Sequence, residues 1–415
     1  MTGKTRKSTK SQSATKSALG GVKILELCQM VAGPYCAKLM ADLGAEVIKV
    51  ETPSYGDAAR RSPPFYKDKP DSEGSGLFLY LNTNKLGVTL DVATTTGRDI
   101  FIELAKDADI IVEDNAPGWM DQHRIGYDEL KSINPDIIMT SITPFGQTGP
   151  YRDYKAYPLN SFQSSGEGYL TPGGIENMGR PPLRLGTFVG EYDSGLNAAN
   201  ATLGALFVKR RTGRGQHVDI SKQESIMALN RLDMARFANH GEVMTRARLG
   251  APYGGILPCK DGYTVFITWE PEQWDKLVRF MGDPDWAKDE QFRDYADRHK
   301  YGEVINALIT EWTMQHTKEE LYHCGQEAGI AFGMVFTPKD LVESEHLKAR
   351  EYFVEVDHPS TGPIKYPGVP YKFSETPARI ERPAPMLGQH NVEIFVERLG
   401  HSKDEMRKWG SAGII

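Results

Sequence analysis

At 415 residues with 40% apolar content the chain can bury a large core, and about 100 to 200 residues per domain predicts two or three domains. A net charge of -6 argues against general binding of nucleic acid or of anionic membranes, so an anionic ligand must find a local set of lysines and arginines. The four cysteines, Cys28, Cys36, Cys259 and Cys324, are too few and too scattered for a disulfide framework or a metal site and read as reduced thiols of a cytoplasmic protein.

Residues 1–20 are rich in Lys, Ser and Thr without an apolar centre, which predicts a disordered tail and not a signal peptide. No apolar run approaches the roughly 18 residues of a membrane span. From Val22 the pattern becomes periodic. A short apolar run, Val22 to Leu27, is followed by a helix over Tyr35 to Leu43 and a strand over Val47 to Val50 that ends at Glu51, a βαβ unit. The order repeats with Gly87 to Leu90, the helix Gly97 to Ala105, and Ile110 to Val112; Asp136 to Ser141 adds a strand. Right-handed crossovers make this an α/β fold with a parallel, Rossmann-like sheet. The large domain is expected over 21–225, followed by a linker over 226–250. A smaller α/β domain over 251–330 contains the strand Tyr263 to Thr268 and a helix-rich stretch to Cys324. Dense Pro and Gly predict a connector over 331–390, and 391–415 returns to the large domain with a helix from Asn391 to Leu399.

The stretch Arg184 to Ser221 carries the clearest chemistry. Glu191 and Asp193 precede a small-residue helix in which Leu196, Ala199, Leu203, Leu206 and Phe207 recur at helical spacing, with Lys209, Arg210 and Arg211 at its end and a glycine turn after it. Carboxylates suit the positive end of a helix. Two readings stand on these residues: helix capping, or a carboxylate nucleophile. A nicotinamide site is excluded by the first βα loop, which has Gly33 followed by Pro34 and no GxGxxG. Neither a P-loop nor a GxSxG elbow occurs.

Five segments together carry a resemblance: Val31 to Glu51 (VAGPYCAKLMADLGAEVIKVE), Asn84 to Asp91 (NKLGVTLD), Ser141 to Asp153 (SITPFGQTGPYRD), Gly195 to Ser221 and the C-terminal HPSTGPIKYPG. In that order the chain resembles the family III CoA-transferases, also called the formyl-CoA transferase or CaiB-BaiF family, from about Gly21 to Gly400. The resemblance implies a large domain assembled from both ends of the chain, a small domain between them, and an interlocked dimer. It also implies transfer of coenzyme A from an acyl-CoA donor such as succinyl-CoA to a carboxylic acid, without a metal. A protein carboxylate attacks the thioester to form a mixed anhydride, CoA thiolate converts it to an enzyme-bound thioester, and an acceptor carboxylate reverses the steps.

Counting back from TGRGQ (Thr212 to Gln216), the family's nucleophilic aspartate falls on Glu191, one methylene longer. Asp193 takes that place only if the loop shifts by two residues. Gly254 and Gly255 stand in the family's glycine loop, whose amides would meet an oxyanion; the alternative is an ordinary turn. Gln29, Met30, Val31 and Ala32 would line the pantetheine and adenine of CoA, Lys85 and Arg124 would meet phosphates, and Asp114 and Asn115 would lie beside them. Phe162, Tyr169, Tyr192, Tyr253 and Trp269 suggest a roomy pocket for an aryl acid such as benzylsuccinate, or ordinary core. Since relatives resembling the benzylsuccinate CoA-transferases pair two unlike subunits, a homodimer and a heterodimer with a homologous, catalytic partner both stand. Ala156, Tyr157 and Pro158 replace the family's GYD, which removes the second acid an acyl-CoA racemase needs.

Overall fold

The computed structural model describes residues 17–175, 177–248, 253–268 and 270–415. Residues 1–16 of the expected tail and Trp269 lie outside the described residues. The chain divides into two compact units, one of segments up to 169 with 183–242 and 350–415, the other of 170–182 with 243–349.

The first unit is built on six parallel strands in the order β3-β2-β1-β4-β5-β6. They are β1 (Lys23–Leu27), β2 (Glu46–Glu51), β3 (Lys85–Thr89), β4 (Ile110–Glu113), β5 (Ile138–Thr143) and β6 (His217–Ser221). The connecting helices include α1 (Ala32–Asp42), α2 (Thr95–Lys106), α3 (Tyr127–Ile133) and the long α4 (Val189–Thr212); α5 (Lys222–Met227) follows β6. This is the doubly wound sheet that the βαβ pattern predicts. Alternation along the strands feeds two cores. Ile24, Val47, Ile110, Val112 and Ile138 pack with Ala37, Met40, Ala198 and Leu206 of α1 and α4. Leu25, Val50, Val88, Ile111 and Met139 pack with Ile100, Phe101 and Leu104 of α2 and with Ile394 and Phe395 from the C-terminal segment.

That segment also finishes the sheet. An unpaired edge strand exposes amides to adventitious pairing. At β3, Gly87 N–H donates to His390 Nδ1 (3.0 Å) and Thr89 N–H donates to Asn391 Oδ1 (2.9 Å). The C-terminal helix expected from Asn391 is a π-helix over Val392–Arg398, and a further α-helix, Lys403–Ser411, follows it. Within the span expected to be a linker, Arg231–His240 is a helix ended by Gly241 in the left-handed conformation. The expected connector divides between the units at 349. Beyond that point a hairpin of Phe353–His358 and Gly362–Pro367 buries Tyr366 and packs Ile364 against a core cluster that contains Leu77 and Phe78.

The second unit has a three-stranded antiparallel sheet of Gly255–Cys259, Gly262–Phe266 and Phe332–Met334. Its core gathers Phe266, Trp274, Leu277, Ile305, Ile309, Leu321 and Phe332 from this sheet and the helices Pro271–Phe280, Gly302–Thr313 and Lys318–Glu327.

Close approach of α1 and α4 depends on Gly195. A Cβ there would lie 2.5 Å from the Ala32 carbonyl oxygen and 3.2 Å from Tyr35. By contrast Gly204, on the same helix, has nothing within 4 Å. Gly195→Ala is therefore expected to lower unfolding free energy by about 1–3 kcal/mol, and Gly204→Ala to raise it by roughly 0.5–1 kcal/mol. Urea titrations of the two variants check the pair.

Candidate active site

Parallel α/β sheets gather ligands beyond the carboxyl ends of their strands, where the strand order reverses, here between β1 and β4. Helix α4 runs antiparallel to the strands, so its amino end lies at this edge. Its basic end lies at the other, where Lys209 pairs with Asp109 (2.8 Å) and Asp136 (3.2 Å). Glu191 is in the first turn of α4 and only 5% exposed. No side chain caps this helix, which has Phe188 at its N-cap. Instead the Glu191 carboxylate pairs with Lys222 Nζ at 2.7 Å.

The local chain explains how Lys222 reaches it. Ser221 ends β6 and accepts a hydrogen bond from Glu224 N–H, which starts α5 and sets Lys222 as its first residue. Gly190 lets α5 pack against α4, because a Cβ there would meet Ile226 at 2.7 Å. Phe162, Phe188, Gly190, Glu191 and Ile226 line a narrow crevice at this junction.

The loop from β1 to α1 forms a second wall of the same edge. Gln29 N–H donates to both oxygens of Asp114 (3.0 and 3.1 Å), just beyond β4, and Met30 N–H donates to Asp57 Oδ1 at 2.8 Å. Met30 has φ of 63°, a strained left-handed conformation for a residue with a side chain, and the Asp57 bond holds it there. Asp57 is itself anchored by Lys49 Nζ at 2.9 Å. Lys49 also donates to Glu26 (2.8 Å) and to the Cys28 carbonyl (2.9 Å), so its ammonium is held by two hydrogen bonds and the Asp57 ion pair inside the protein. Burial alone would lower its pKa, but Asp57, Glu26 and Glu51 outweigh it and raise the value.

Beside this loop lies a cavity of about 230 Å³ lined by Cys28, Gln29, Thr52, Asp57, Asp91, Asn115 and Trp119 among others. Its described lining contains acids and no lysine or arginine. A larger cavity of about 710 Å³, with Arg379, Arg382 and Arg398 in its wall, opens at the amino ends of β2 and β3, away from this edge.

Several expected ligand contacts are corrected by these positions. Lys85, expected at a phosphate, is fully buried, pairs with Glu26 Oε2 (2.7 Å) and donates to Pro34 O (2.9 Å) and Asn82 Oδ1 (2.9 Å), so its ammonium is turned to the interior and away from any ligand. Burial pushes its pKa down to about 8 against the opposing pull of Glu26. Val31 and Ala32 are core residues, 1% and 0% exposed, so only Gln29 and Met30 of that loop present side chains outward. Glu51, at the end of β2, is held by Arg60, which donates to both its oxygens at 2.7 and 2.8 Å.

Other expected residues keep open positions. Arg124 is exposed after the short helix Trp119–Gln122. Asn115 donates to Glu113 through its backbone (2.8 Å) and faces the cavity. Asp193, partly buried one step along α4 from Tyr192, accepts from Asn197 (3.2 Å), and desolvation raises its pKa despite that bond. Gly254 and Gly255, both left-handed with φ of 79° and 77°, belong to the second unit, where Gly254 N–H donates to Asn306 at 2.7 Å and Gly255 opens the strand pair. Of the aromatic candidates, Phe162 lines the Glu191 crevice, Tyr192 packs edge-on against Tyr35, Tyr169 is exposed, and Tyr253 is core in the second unit.

Sequence reasoning missed Lys222 and Asp57. Lys222 does leave a signal: a lysine at the first position of a helix opposes the helix dipole, and it directly follows a strand at the ligand edge. Asp57 leaves none, because its partner Met30 is joined only by folding. Desolvation drives the pKa of Asp114 well above the usual carboxylate value, with Lys222 opposing and Asp57 adding to the rise. A raised folded-state pKa gives a contribution to stability that is full below about pH 4 and is lost as pH rises through the folded value. Asp114→Asn is thus expected to raise the melting temperature near neutral pH, with the gain shrinking toward about pH 4. Thermal denaturation at the two pH values checks this.

Residues 19–391 match CoA-transferase family III. A formyl-CoA:oxalate CoA-transferase of Rhodopseudomonas palustris is 35% identical over 96% of this chain and 97% of its own length. A succinyl-CoA–D-citramalate CoA-transferase of Chloroflexus aurantiacus is 34% identical over 94% and 96%. Among solved structures, a CaiB/BaiF family protein from Brucella suis superposes with a TM-score of 0.82 at 29% identity, over 92% of this chain and 99% of that one. With its six-stranded parallel sheet and these likenesses along nearly its whole length, the chain belongs to CoA-transferase family III and is a CoA-transferase.

Proposed function

We propose that the chain moves CoA from a short acyl-CoA, such as succinyl-CoA or formyl-CoA, to a small carboxylic acid, with Glu191 as the nucleophile. The observation that carries this is the placement of Glu191: a carboxylate 5% exposed, at the amino end of α4 and the carboxyl edge of the sheet, paired with a cation instead of capping its helix. A carboxylate is a weak nucleophile in water, and burial in a crevice walled by Phe162, Phe188 and Ile226 removes competing solvent. The longer glutamate stem supplies the same functional group as aspartate. Relatives that use formyl-CoA with oxalate and succinyl-CoA with D-citramalate support small acids on both sides of the reaction. Gln29, Asn115 and Trp119 would meet the body of CoA in the cavity beyond β1 and β4, and Arg124, exposed a few residues after Trp119, would meet its phosphates.

Incubation with succinyl-CoA or formyl-CoA followed by hydroxylamine trapping and mass spectrometry should mark Glu191. Glu191→Gln should lose activity on the order of 10⁴-fold while keeping its fold. Protein that is never marked at Glu191 would sink this assignment.

A dimer belongs to the same proposal. Phe207 (61% exposed), Leu232 (78%) and Phe237 (58%) are large apolar groups left open in the single chain. The chain expressed alone is expected to run as a homodimer in light scattering. Activity that appears only on adding a homologous subunit would instead establish the heterodimer.

A further inference from the structure

We propose that Lys222 is the exchangeable counter-ion of the transfer reaction, pairing in turn with each anion that the chemistry releases beside Glu191. The inference rests on Glu191 being the nucleophile and deepens that reading. The geometry is an ammonium 2.7 Å from Glu191 Oε2, with a side chain 17% exposed, at the first position of α5. Lys222 directly follows Ser221, the last residue of β6, at the carboxyl edge of the sheet. It therefore bridges the start of α5 to the first turn of α4.

The charge balance of the reaction explains what a cation paired directly with Glu191 would do. In the resting enzyme the mobile negative charge is on Glu191. When a Glu191 oxygen attacks the thioester, a C–O bond forms, the C–S bond breaks and its electron pair leaves on sulfur, so the charge moves to the CoA thiolate and Glu191 becomes a neutral anhydride. When the thiolate attacks the Glu191 carbonyl carbon, a C–S bond forms and the anhydride C–O bond breaks. The charge then leaves on the donor's carboxylate. The acceptor carboxylate brings one negative charge back, and the same steps run in reverse. No proton is taken up or lost, and every stage contains one displaced anion.

An isolated charge in a poorly solvated site is costly, and a cation left without its partner is costly too. Lys222 loses its partner each time Glu191 is acylated, and the anion just released lies within reach of the same ammonium. A lysine suits this exchange better than an arginine, because it is a point charge on a flexible stem and not a fixed fork. The role also accounts for a cation at a helix start, where the dipole disfavours it.

The test uses full-length wild type, Lys222→Gln and Lys222→Arg, with melting curves to confirm that each variant folds. Each is given succinyl-CoA or formyl-CoA without acceptor, and acylated Glu191 is trapped with hydroxylamine and timed; succinate or oxalate is then added to obtain kcat and KM. Lys222→Gln should slow acylation by about 100-fold, the scale of losing one charge-stabilising donor. It should also raise KM for the acid by roughly tenfold, as expected for a lost charge-assisted contact. Lys222→Arg should recover most of both effects, since it retains the charge. Labelling of Glu191 at the wild-type rate in Lys222→Gln, with KM unchanged, overturns the role of Lys222 and leaves the nucleophile standing. Loss of rate with unchanged KM and no recovery by arginine overturns it as well, in favour of a structural ion pair. Wild type unmarked by either thioester overturns the nucleophile, and the inference with it.

Discussion

A set of charges sealed inside the first three strands underlies the whole carboxyl edge of this sheet. Glu26 of β1, Lys49 of β2, Lys85 of β3 and Asp57 are joined by contacts of 2.7 to 2.9 Å, and none of their side chains is exposed. Removing one member of such a set would strand the others, so these elements are bound to one arrangement. The consequence reaches the surface through Asp57, which holds Met30 in its left-handed turn and thereby aims Gln29 at Asp114. It also reaches the chain's end, because Glu51 grips Arg60, whose guanidinium donates to the Pro385 carbonyl at 2.9 Å. The interior ion network, the β1–α1 loop and the returning C-terminal segment are thus tied together.

At the edge itself, several carboxylates gather near Lys222 and Arg184. Asp57, Asp91, Asp114 and Glu191 converge on it, and Lys222 is the ammonium placed among them. The acidity arises from different causes at different residues. Asp57 is fixed by lysine, Asp114 is pushed toward its neutral form by burial, and Glu191 keeps a direct ionic partner.

Much of the fold was legible because parallel strands buried on both faces leave continuous apolar runs, and the intervening helices leave a 3.6-residue period. The strands at Val22, Val47, Ile110 and His217 and the long helix after Phe188 are found within a few residues of where these patterns put them. The position of Glu191 near the mouth of that helix was legible too, through its distance from the glycine turn. Lys85 was misread because a lysine inside an NK motif looks the same whether its ammonium meets solvent or a neighbouring strand. Only the register Val47↔Lys85, with Glu26 opposite Lys49, turns it inward. Val31 and Ala32 were misread for a similar reason: the loop passes the ligand edge, but its α1 end is already core.

Composition, periodicity and motif spacing by themselves determined that this is a doubly wound α/β protein carrying a carboxylate at a helix mouth. Those properties are local, set by the side chains within a few turns of each element. Tertiary structure alone decided which charges are partners. The pairs Lys222 with Glu191, Asp57 with Met30 and Lys85 with Glu26 join residues distant in the chain. Whether a charged group becomes a ligand contact, a structural ion pair or a reactive group depends on its desolvation and its nearest opposite charge, and both exist only once the sheet has closed over it.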